Sequence, residues 1–268
     1  MKDLKDKVCV VTGAGHGVGE ALAHALAARG ARLVLADVDE AALKDTGEQL
    51  RDADAPLLLQ RTDVAQPDDV DALARAAVDR FGAVHVLINN AGVGVLGAVW
   101  NTSLDDWTRV FSVNVMGVVH GLRSFVPILL AQEEPSHIVN LCSLMGLVTA
   151  PVHGAYAATK HAVLAITETL RDELAMSGKP IGVSLVCPGP IRTNMINTAR
   201  GEPGTPEAGA IEMLKALMKE KGMEASEVAR QIVEGVLADR YWIFPAPEFF
   251  DATYPRVAQI RAALDPLS

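Results

Sequence analysis

The sequence lacks an uninterrupted apolar run long enough to cross a membrane. A spanning helix needs about 18 or more mostly apolar residues, and the longest candidate, residues 113–130, is interrupted by Asn114, His120, Arg123 and Ser124. The N-terminal Met-Lys-Asp-Leu-Lys-Asp-Lys contains no signal-peptide core. From these two absences we expect a soluble, cytoplasmic protein without a membrane partner.

Basic residues are also in deficit, with 24 Lys and Arg against 33 Asp and Glu and a formal net charge of −9. A protein that binds a phosphate backbone needs a basic face. We therefore expect no nucleic-acid partner.

Cysteine is scarce and metal-ligand spacing is missing. The three cysteines, Cys9, Cys142 and Cys187, lie inside apolar runs, which is typical of free, buried thiols in a reducing compartment. The seven histidines are scattered, and no Cys/His/acid group has the spacing of a metal site. The sequence predicts no bound metal.

Internal repeats, low-complexity segments and linkers are absent as well. A chain of 268 residues that is 50% hydrophobic can build one sizeable core. We expect residues 1–268 to form a single domain.

What the sequence does contain is a regular alternation of short apolar runs and helical patterns. Most of the runs are continuous rather than alternating, as in strands buried on both faces. Helical stripes lie between them, for example over 18–26 and 70–81, and Gly30 is expected to end the first. The alternation predicts an α/β, doubly wound (Rossmann) sheet of seven parallel strands with helices on both faces. The predicted strands are Val8–Val11, Leu33–Ala36, Leu57–Leu59, Val84–Ile88, Ile138–Leu141, Val183–Cys187 and Trp242–Phe244.

One segment, residues 194–224, differs from the rest. It contains a cluster of Gly and Pro followed by an amphipathic stretch with Ile211, Leu214, Leu217 and Met218. A hinge followed by an apolar helix is typical of a lid, so we predict a helical lid insertion. A surface loop or a subunit contact is the alternative.

Polar and glycine-rich segments follow the predicted strands, at the edge where open α/β sheets bind ligands. The first strand runs into Thr12-Gly-Ala-Gly-His-Gly-Val-Gly19, whose N–H groups at a helix N-terminus suit a pyrophosphate. Asp37, after the second strand, can accept both ribose hydroxyls of an adenosine and repels a 2′-phosphate. Because Val38 rather than a basic residue follows, the sequence predicts NAD over NADP. A helix N-cap is the alternative for Asp37, although Asp39 could also supply the cap.

Tyr156 and Lys160 stand four residues apart, which places a phenol and an ammonium on one face of a helix. A tyrosine has a pKa of about 10, and a nearby cation lowers it. We therefore predict that Lys160 acidifies Tyr156, which exchanges a proton with an alcohol or ketone.

Together these residues resemble the short-chain dehydrogenase/reductase family over residues ~5 to ~195, by motif order and spacing. Thr12–Gly19 matches the family's cofactor turn, 89–92 its Asn-Asn-Ala-Gly, and 188–193 its Pro-Gly turn with a following Thr. Where the family usually has Ser-Ser, this chain has Cys142-Ser143. His16 occupies a position where NADP-preferring members often carry Arg or Lys, and we give Asp37 more weight.

The resemblance implies roles for individual residues. Tyr156 transfers the proton, Ser143 stabilises charge on the substrate oxygen, Lys160 holds the nicotinamide ribose, and Asn114 anchors a water linked to Lys160. For Asn114 the alternative is a hydrogen bond to backbone. The cofactor contacts implied are Gly13, Gly15, His16, Gly17, Val18, Gly19, Asp37, Asp63, Val64, Asn90, Ala91, Gly92, Tyr156, Lys160, Pro188, Gly189, Ile191 and Thr193. For Asp63 and Val64, which we place at the adenine edge, a cap or turn is the alternative.

The expected activity is hydride transfer between NAD(H) and a hydrophobic or aromatic secondary alcohol or its ketone. The alternatives are a ketoreductase of carrier-bound 3-oxoacyl groups and a non-catalytic NAD-binding or sensing protein. The residues expected to line the substrate side are apolar, and they could equally belong to the core. They are Val95, Met145, Val148, Pro190, Met195 and Ile196. His153, one turn before Tyr156, is a further substrate candidate that could instead face solvent.

The helical pattern over 107–130 is apolar nearly all round, which requires burial on every side. The sheet can cover one face, and a second subunit the other, as is common in the family. We expect a homodimer or homotetramer, with burial under the C-terminal segment as the alternative.

Overall fold

The structure, a computed structural model, describes residues 1–51, 55–192 and 204–264. Three of the predicted site residues, Thr193, Met195 and Ile196, lie outside the described residues. The first half of the proposed lid segment also lies largely outside them.

A seven-stranded parallel sheet forms the centre of the protein, in the order β3-β2-β1-β4-β5-β6-β7. Strand order reverses between β1 and β4, which creates the crevice where such sheets bind ligands. The predicted fold class is confirmed, with strand ends shifted by up to two residues. The strands are β1 Val8–Thr12, β2 Arg32–Asp37, β3 Leu57–Arg61, β4 Val86–Asn89, β5 Ser136–Leu141, β6 Ile181–Val186 and β7 Trp242–Ile243.

Helices cover both faces of the sheet. The last residue of the first helix is Ala27, and Gly30 ends the helix as predicted: its φ of 73° is left-handed, Gly30 N donates to the Ala27 carbonyl at 2.8 Å, and Ala31 N donates to the Leu26 carbonyl at 3.2 Å. The helices are α1 Gly17–Ala27, α2 Glu40–Gln49, α3 Pro67–Phe81, α4 Leu104–Phe111, α5 Gly117–Ala131, α6 Gly154–Ser177, α7 Pro206–Lys221, α8 Ala225–Leu237 and α9 Tyr254–Leu264.

The core has two main layers because successive side chains of a strand point to opposite faces. Cys9 and Val11 of β1 pack under α1 and α8, whereas Val8 and Val10 pack under α3 and α5. All five residues of β1 are buried. Burial on both faces explains why the strands appear in the sequence as continuous apolar runs.

The stretch Leu104–Ala131 is long and apolar enough, by length and composition alone, to cross a membrane. A core helix of a soluble protein passes the same test, and in this structure Phe125 and Leu129 are fully buried in the second core layer. The stretch joins α4 to α5 through a wider π-helical turn, Ser112–Met116. That turn carries Asn114 toward the carboxyl edge of the sheet.

Helix α7 is the amphipathic part of the predicted lid segment. It begins after Thr205, whose side chain accepts a hydrogen bond from the Ala208 N–H, and it has Pro206 in its first turn. Ile211 is fully buried, while Met213 is 75% exposed. A helix is present as predicted, and its role as a lid stays a prediction.

Candidate active site

The turn after β1 is tight enough to require glycine at two positions. Gly13 has a φ of 66°, and a Cβ there would lie 2.8 Å from the Ala91 Cα. A Cβ on Gly19 would lie 1.9 Å from the Gly13 carbonyl oxygen. Because Gly13 and Gly19 pack backbone on backbone, the turn brings the first N–H groups of α1 up to the carboxyl edge of the sheet.

The N-terminus of α1 suits an anion. Its N-cap residue, His16, has extended backbone, and among the described residues its side chain caps no N–H of the helix. These N–H groups and the helix dipole favour a phosphate. The exposed His16 imidazole instead lies 3.2 Å from the Asp39 carboxylate. Val18 is buried in the first core layer, so its side chain packs against the core beneath the glycine turn.

Asp37 ends β2 and is held by two backbone N–H groups. Its Oδ2 accepts from Gly15 N at 2.8 Å, and its Oδ1 accepts from Asp39 N at 3.0 Å. Each carboxylate oxygen keeps a further lone pair, which fits the two hydroxyls of an adenosine ribose. The N-cap of α2 is Asp39, which accepts from the Ala42 N–H at 3.1 Å. The alternative of Asp37 as the cap is therefore wrong.

The Asn-Asn-Ala-Gly segment after β4 braces the glycine turn. The Asn90 Nδ2 donates to the carbonyl oxygens of Thr12 and Gly13 at 2.8 and 3.0 Å. The Thr12 hydroxyl in return accepts from the N–H groups of Asn90 and Ala91. Asn90 therefore fixes the turn with its side chain, which leaves Ala91 and Gly92 to border the crevice.

Asp63 and Val64, predicted at the adenine edge, have local structural roles. The Asp63 Oδ1 accepts a hydrogen bond from Ala65 N at 3.0 Å. The carboxylate therefore stabilises a turn, which is the alternative role that the sequence allowed for Asp63. Val64 is buried with the second core layer against Gly117, and its carbonyl accepts from the His120 ring at 2.9 Å. The side chain of Val64 is thus unavailable to a ligand, although Asp63 remains partly exposed at the edge.

Asn114 ties together two parts of the site. Its Nδ2 donates to the Val93 carbonyl at 3.0 Å and to the Thr159 hydroxyl at 3.1 Å, and its Oδ1 accepts from Val93 N at 2.8 Å. Asn114 does hydrogen-bond backbone, as the alternative has it, with one difference, and its role in anchoring a water stays a prediction. The backbone belongs to the segment after β4 and not to Asn114's own helix. The π-helical turn makes this reach possible, and π-bulges are frequent at functional sites.

Ser143 and Tyr156 meet beyond the end of β5. Ser143 caps the short 3₁₀ turn Leu144–Gly146, with its Oγ accepting from Met145 N at 3.1 Å. Burial raises the pKa of Tyr156 to about 12, and a hydrogen bond with Ser143 opposes this rise. The protein's own groups therefore keep Tyr156 as a neutral phenol at neutral pH, the form that donates a proton.

This result corrects the prediction that Lys160 lowers the pKa of Tyr156. The Lys160 Nζ is 5.7 Å from the centre of the tyrosine ring and donates to the Leu141 carbonyl at 2.8 Å. Its ammonium is buried, and burial lowers the pKa of Lys160. The four-residue spacing brings the two groups together as expected, but desolvation of the phenol is the largest influence on the pKa of Tyr156.

Lys160 still has hydrogen atoms to offer a ligand. An ammonium has three donors, and Leu141 takes one of them. A Cβ placed on Gly92 would lie 3.7 Å from the Nζ and 3.4 Å from the Asn114 Oδ1. Lys160 and Asn114 therefore face the same glycine at the edge of the crevice, where a nicotinamide ribose could be held.

The predicted substrate side falls into two groups. Met145, Val95 and Pro190 are partly exposed around the Ser143 loop and the β4 and β6 exits, whereas Val148 is buried. The His153 Nδ1 contacts the Pro151 carbonyl at 2.8 Å, and the residue forms a backbone bridge with Gly97. His153 thus fixes one wall of the site. Ile191 packs against the first core layer and forms an isolated backbone β-bridge with Met223. Its side chain therefore helps to hold the Pro188-Gly189 turn against the core.

Three contacts at the site were not foreseen from the sequence. Glu207, in the first turn of α7, accepts from Ala98 N at 2.9 Å and so fastens the helix to the loop after β4. Arg256 of α9 donates to the Leu147 carbonyl at 3.1 Å and lies 2.7 Å from the His161 Nε2. Thr159 holds Asn114, as described above. Thr159 lies inside the Tyr-Ala-Ala-Thr-Lys motif, which was the one available signal; Glu207 and Arg256 had none.

Among the residues that the structure describes, no group of three or more His, Cys, Asp or Glu side chains is placed to hold a metal ion. The site brings together a tyrosine, a serine and a buried lysine at the carboxyl edge of the sheet.

Comparison with known proteins agrees with this geometry. The family model for short chain dehydrogenase matches residues 7–203. A short chain dehydrogenase/reductase from Burkholderia phymatum, solved in complex with NAD, superposes with a TM-score of 0.93 at 41% identity over 100% of both chains.

Two curated relatives extend the match at the sequence level. A CLA biosynthesis dehydrogenase/reductase of Lactiplantibacillus plantarum is 31% identical over 97% of this chain and 95% of its own. The 1-deoxy-11-beta-hydroxypentalenate dehydrogenase of Streptomyces exfoliatus is 35% identical over 90% of this chain and 83% of its own. With its glycine turn, its Ser, Tyr and Lys at one sheet edge, and these matches, the chain is an oxidoreductase that belongs to the short-chain dehydrogenase/reductase family.

Proposed function

We propose that this protein is an NAD-dependent dehydrogenase of a hydrophobic or aromatic secondary alcohol, acting equally as reductase of the corresponding ketone. The observation that carries the proposal is the grouping of three residues at the carboxyl edge of the sheet: Ser143 at the end of β5, Tyr156 close enough to Ser143 for its pKa to be affected, and the buried Lys160, whose Nζ is 5.7 Å from the tyrosine ring. A bound nicotinamide supplies or accepts the hydride, and the protein handles the proton.

Tyr156 is the proton donor in ketone reduction. Its raised pKa keeps the phenol protonated at neutral pH, so an acid is in place when negative charge develops on the carbonyl oxygen. Ser143 is fixed by its cap to Met145 N, and its hydroxyl stabilises the same oxygen. A preorganised donor of this kind costs no reorganisation during the reaction.

Lys160 holds the sugar of the cofactor. Its ammonium is anchored on the Leu141 carbonyl and faces Gly92, which leaves two N–H donors for ribose hydroxyls. The hydrogen bonds of Asn114 to Val93 and Thr159 hold the segment after β4 in place opposite Lys160. We retain for Asn114 the proposal that it also orients a water connecting Lys160 to solvent.

NAD fits Asp37 better than NADP does. Two backbone N–H groups fix the carboxylate at the end of β2, and Val38 beside it is 54% exposed and uncharged. A 2′-phosphate would meet a like charge held in place, which is unfavourable. The NAD complex of the Burkholderia phymatum relative supports the same choice.

The apolar residues around the Ser143 loop support a hydrophobic substrate. Met145, Val95 and Pro190 are partly exposed there, and apolar pockets with few polar groups favour apolar ligands. A relative from Streptomyces exfoliatus is, by its name, a dehydrogenase of a hydroxylated compound, which supports an alcohol as the substrate and not its apolar character.

Two other functions are less well supported. A reductase of carrier-bound 3-oxoacyl groups usually takes NADP and needs a basic docking patch, which a net charge of −9 and Asp37 do not favour. A non-catalytic NAD sensor would have no need of Ser143, Tyr156 and Lys160 at one edge of the sheet. All three are present and brought together.

The proposal is tested with a panel of secondary alcohols and ketones, assayed by absorbance at the reduced-nicotinamide band with each cofactor and each enantiomer. We expect turnover of apolar ring or long-chain substrates with NAD(H), and little with sugars or hydroxy acids. A preference for 3-oxoacyl thioesters with NADPH would favour the first alternative. Tight NAD binding without turnover of any substrate would favour the second.

We also propose that α5 and α6 form a homodimer interface. An open, mostly apolar groove runs between them, lined by Leu122, Val126, Pro127, Ile166 and Leu170 among others. The contacts of α9 through Arg256 go instead to Leu147 and to the N-terminal part of α6. In a two-fold symmetric dimer, a second copy would cover the groove with the same apolar patch of its own surface.

Replacement of Val126 and Ile166 by glutamate is expected to convert the oligomer to a monomer, because four carboxylates would face each other across a two-fold interface. The mass in solution is measured by light scattering after size exclusion. The matched control is Met213→Glu, an exposed apolar position on α7, which should leave the mass unchanged. A monomeric native protein, or a double variant of unchanged mass, would contradict this interface.

A further inference from the structure

Cys142 and Cys187 occupy paired positions on neighbouring strands. The register pairs Leu141 of β5 with Val186 of β6, and the ladder continues with Cys142 N donating to the Val186 carbonyl at 2.8 Å. Adjacent strands lie about 4.7–4.9 Å apart. A disulfide requires a Cα–Cα separation of about 4.4–6.8 Å. The backbone spacing therefore suits a bond between these two residues.

Both side chains point to the same face of the sheet. Cys142 and Cys187 belong to one small buried cluster with Val118, Val163 and Leu185, whereas Leu141 and Val186 pack in the first core layer on the opposite face. The two thiols lie close enough for each to influence the pKa of the other.

The pKa of Cys142 is lowered from its ordinary value although burial opposes this. Its thiol donates to the Lys160 carbonyl at 3.2 Å. The hydrogen bond from Cys187 lowers the pKa of Cys142, with the Lys160 ammonium acting in the same direction, and the same hydrogen bond raises the pKa of Cys187. A thiol of lowered pKa with a second thiol beside it can form a sulfenic acid that the second thiol resolves, once a small oxidant reaches it.

We propose that Cys142 and Cys187 are a modification site, at which a hydroperoxide forms a reversible disulfide beside the active site. The Cys142 thiolate attacks the peroxide oxygen, the O–O bond breaks, and a sulfenic acid and one water or alcohol result. The Cys187 sulfur then attacks the sulfenic sulfur, forms the S–S bond and releases the hydroxyl as water. Two thiols are oxidised, one hydroperoxide is reduced, and the two thiol protons leave in the two products.

The bond would act directly on the catalytic loops. Cys142 immediately precedes Ser143, Cys187 immediately precedes Pro188, and Leu144 N donates to the Pro188 carbonyl at 2.9 Å. Oxidation removes the S–H donor to the Lys160 carbonyl. The sulfur has little room to adjust toward the loop, since a Cβ on Gly146 would lie 2.3 Å from it. We expect Ser143 and Lys160 to shift, and kcat to fall.

The third cysteine is an internal control. Cys9 lies on β1 in the first core layer, on the other face of the sheet from the pair. Burial raises the pKa of Cys9 to about 12, so it stays a thiol. It should remain reduced under conditions that oxidise the pair.

The test uses hydrogen peroxide, the smallest hydroperoxide, because both thiols of the pair are buried. The intact protein is treated, denatured, alkylated and analysed by peptide mass spectrometry. We expect one peptide pair joined through Cys142 and Cys187, lost on treatment with dithiothreitol, and about a tenfold fall in kcat that dithiothreitol reverses. Cys142→Ser and Cys187→Ala should each abolish the linked peptide and the loss of activity. Cys9→Ala should change neither.

Cys142→Ser restores the residue usual in the family, so a folded variant is available even if Cys187→Ala is unstable. The linked peptide is read without any assay of turnover, and the result is therefore independent of the substrate proposed above. Both peptides recovered as free alkylated thiols, a sulfinic or sulfonic acid at Cys142, or a link that includes Cys9 would each overturn the proposal.

Discussion

Replacement of Tyr156 by phenylalanine is expected to lower kcat by about 10²–10⁴-fold, the usual contribution of a positioned general acid. The ring would remain packed beside Lys160, so cofactor binding should be nearly unchanged. The phenol is the group that Ser143 contacts and that burial keeps protonated, and phenylalanine removes only its hydroxyl. Steady-state kinetics and NADH fluorescence titration measure the two quantities.

Tyr254→Phe is the matched control, because Tyr254 is 59% exposed on α9. It should leave kcat within about twofold of the native value, as surface substitutions usually do. Unchanged turnover in Tyr156→Phe would remove the proton-transfer role. A loss of cofactor affinity equal to the loss of rate would instead point to a structural role for the hydroxyl.

The raised pKa of Tyr156 also predicts how the rate in each direction depends on pH. A group whose pKa is raised keeps its proton to higher pH, and for Tyr156 the pKa is about 12. Ketone reduction should therefore show no alkaline decline due to loss of this acid between about pH 6 and 9. Alcohol oxidation needs the phenolate and should rise with pH over the same range.

A switch of cofactor preference is the second large effect. The double variant Asp37→Ser, Val38→Arg should change the ratio of kcat/KM for NAD and NADP by about 100-fold or more in favour of NADP, equivalent to about 2.7 kcal/mol. The change removes a carboxylate that two backbone N–H groups hold toward the ribose. It also adds a guanidinium, which is well suited to a phosphate. Serine keeps one acceptor for the Gly15 N–H.

Val38→Arg alone is the matched control for this switch. With the Asp37 carboxylate in place, the new guanidinium has an acidic neighbour, and the preference should shift by less than about tenfold. A native protein that already prefers NADP would contradict our interpretation of Asp37. So would a double variant that keeps its preference for NAD while it remains folded.

Much of the site could be predicted because its residues follow strands in the chain. In a parallel sheet the carboxyl ends of all strands lie at one edge. Gly13, Asp37, Asn90, Ser143 and Pro188 were therefore expected near one another without knowledge of any side-chain contact. The spacing of Tyr156 and Lys160 likewise placed both on one face of α6, whatever that helix packs against.

Other features needed the packed structure. The sequence offered two interpretations each for Asp37 and Asn114, and only the hydrogen-bond geometry showed which groups these side chains contact within the protein. Asp39 rather than Asp37 caps α2, and Asn114 reaches Val93 because the helix widens to a π turn at Ser112–Met116. Neither a register change within a helix nor the partner of an amide is encoded in local spacing.

The sequence by itself determined the order of strands and helices, the edge at which the chemistry collects, and the residue types available there, because periodicity and strand–helix alternation are local. Only the tertiary structure determined the electrostatic environment of the site residues. Burial raises the pKa of Tyr156 although Lys160 is near, and β5 and β6 bring Cys142 against Cys187. Desolvation and cross-strand contact depend on what packs around a group, and that is fixed only when distant segments come together.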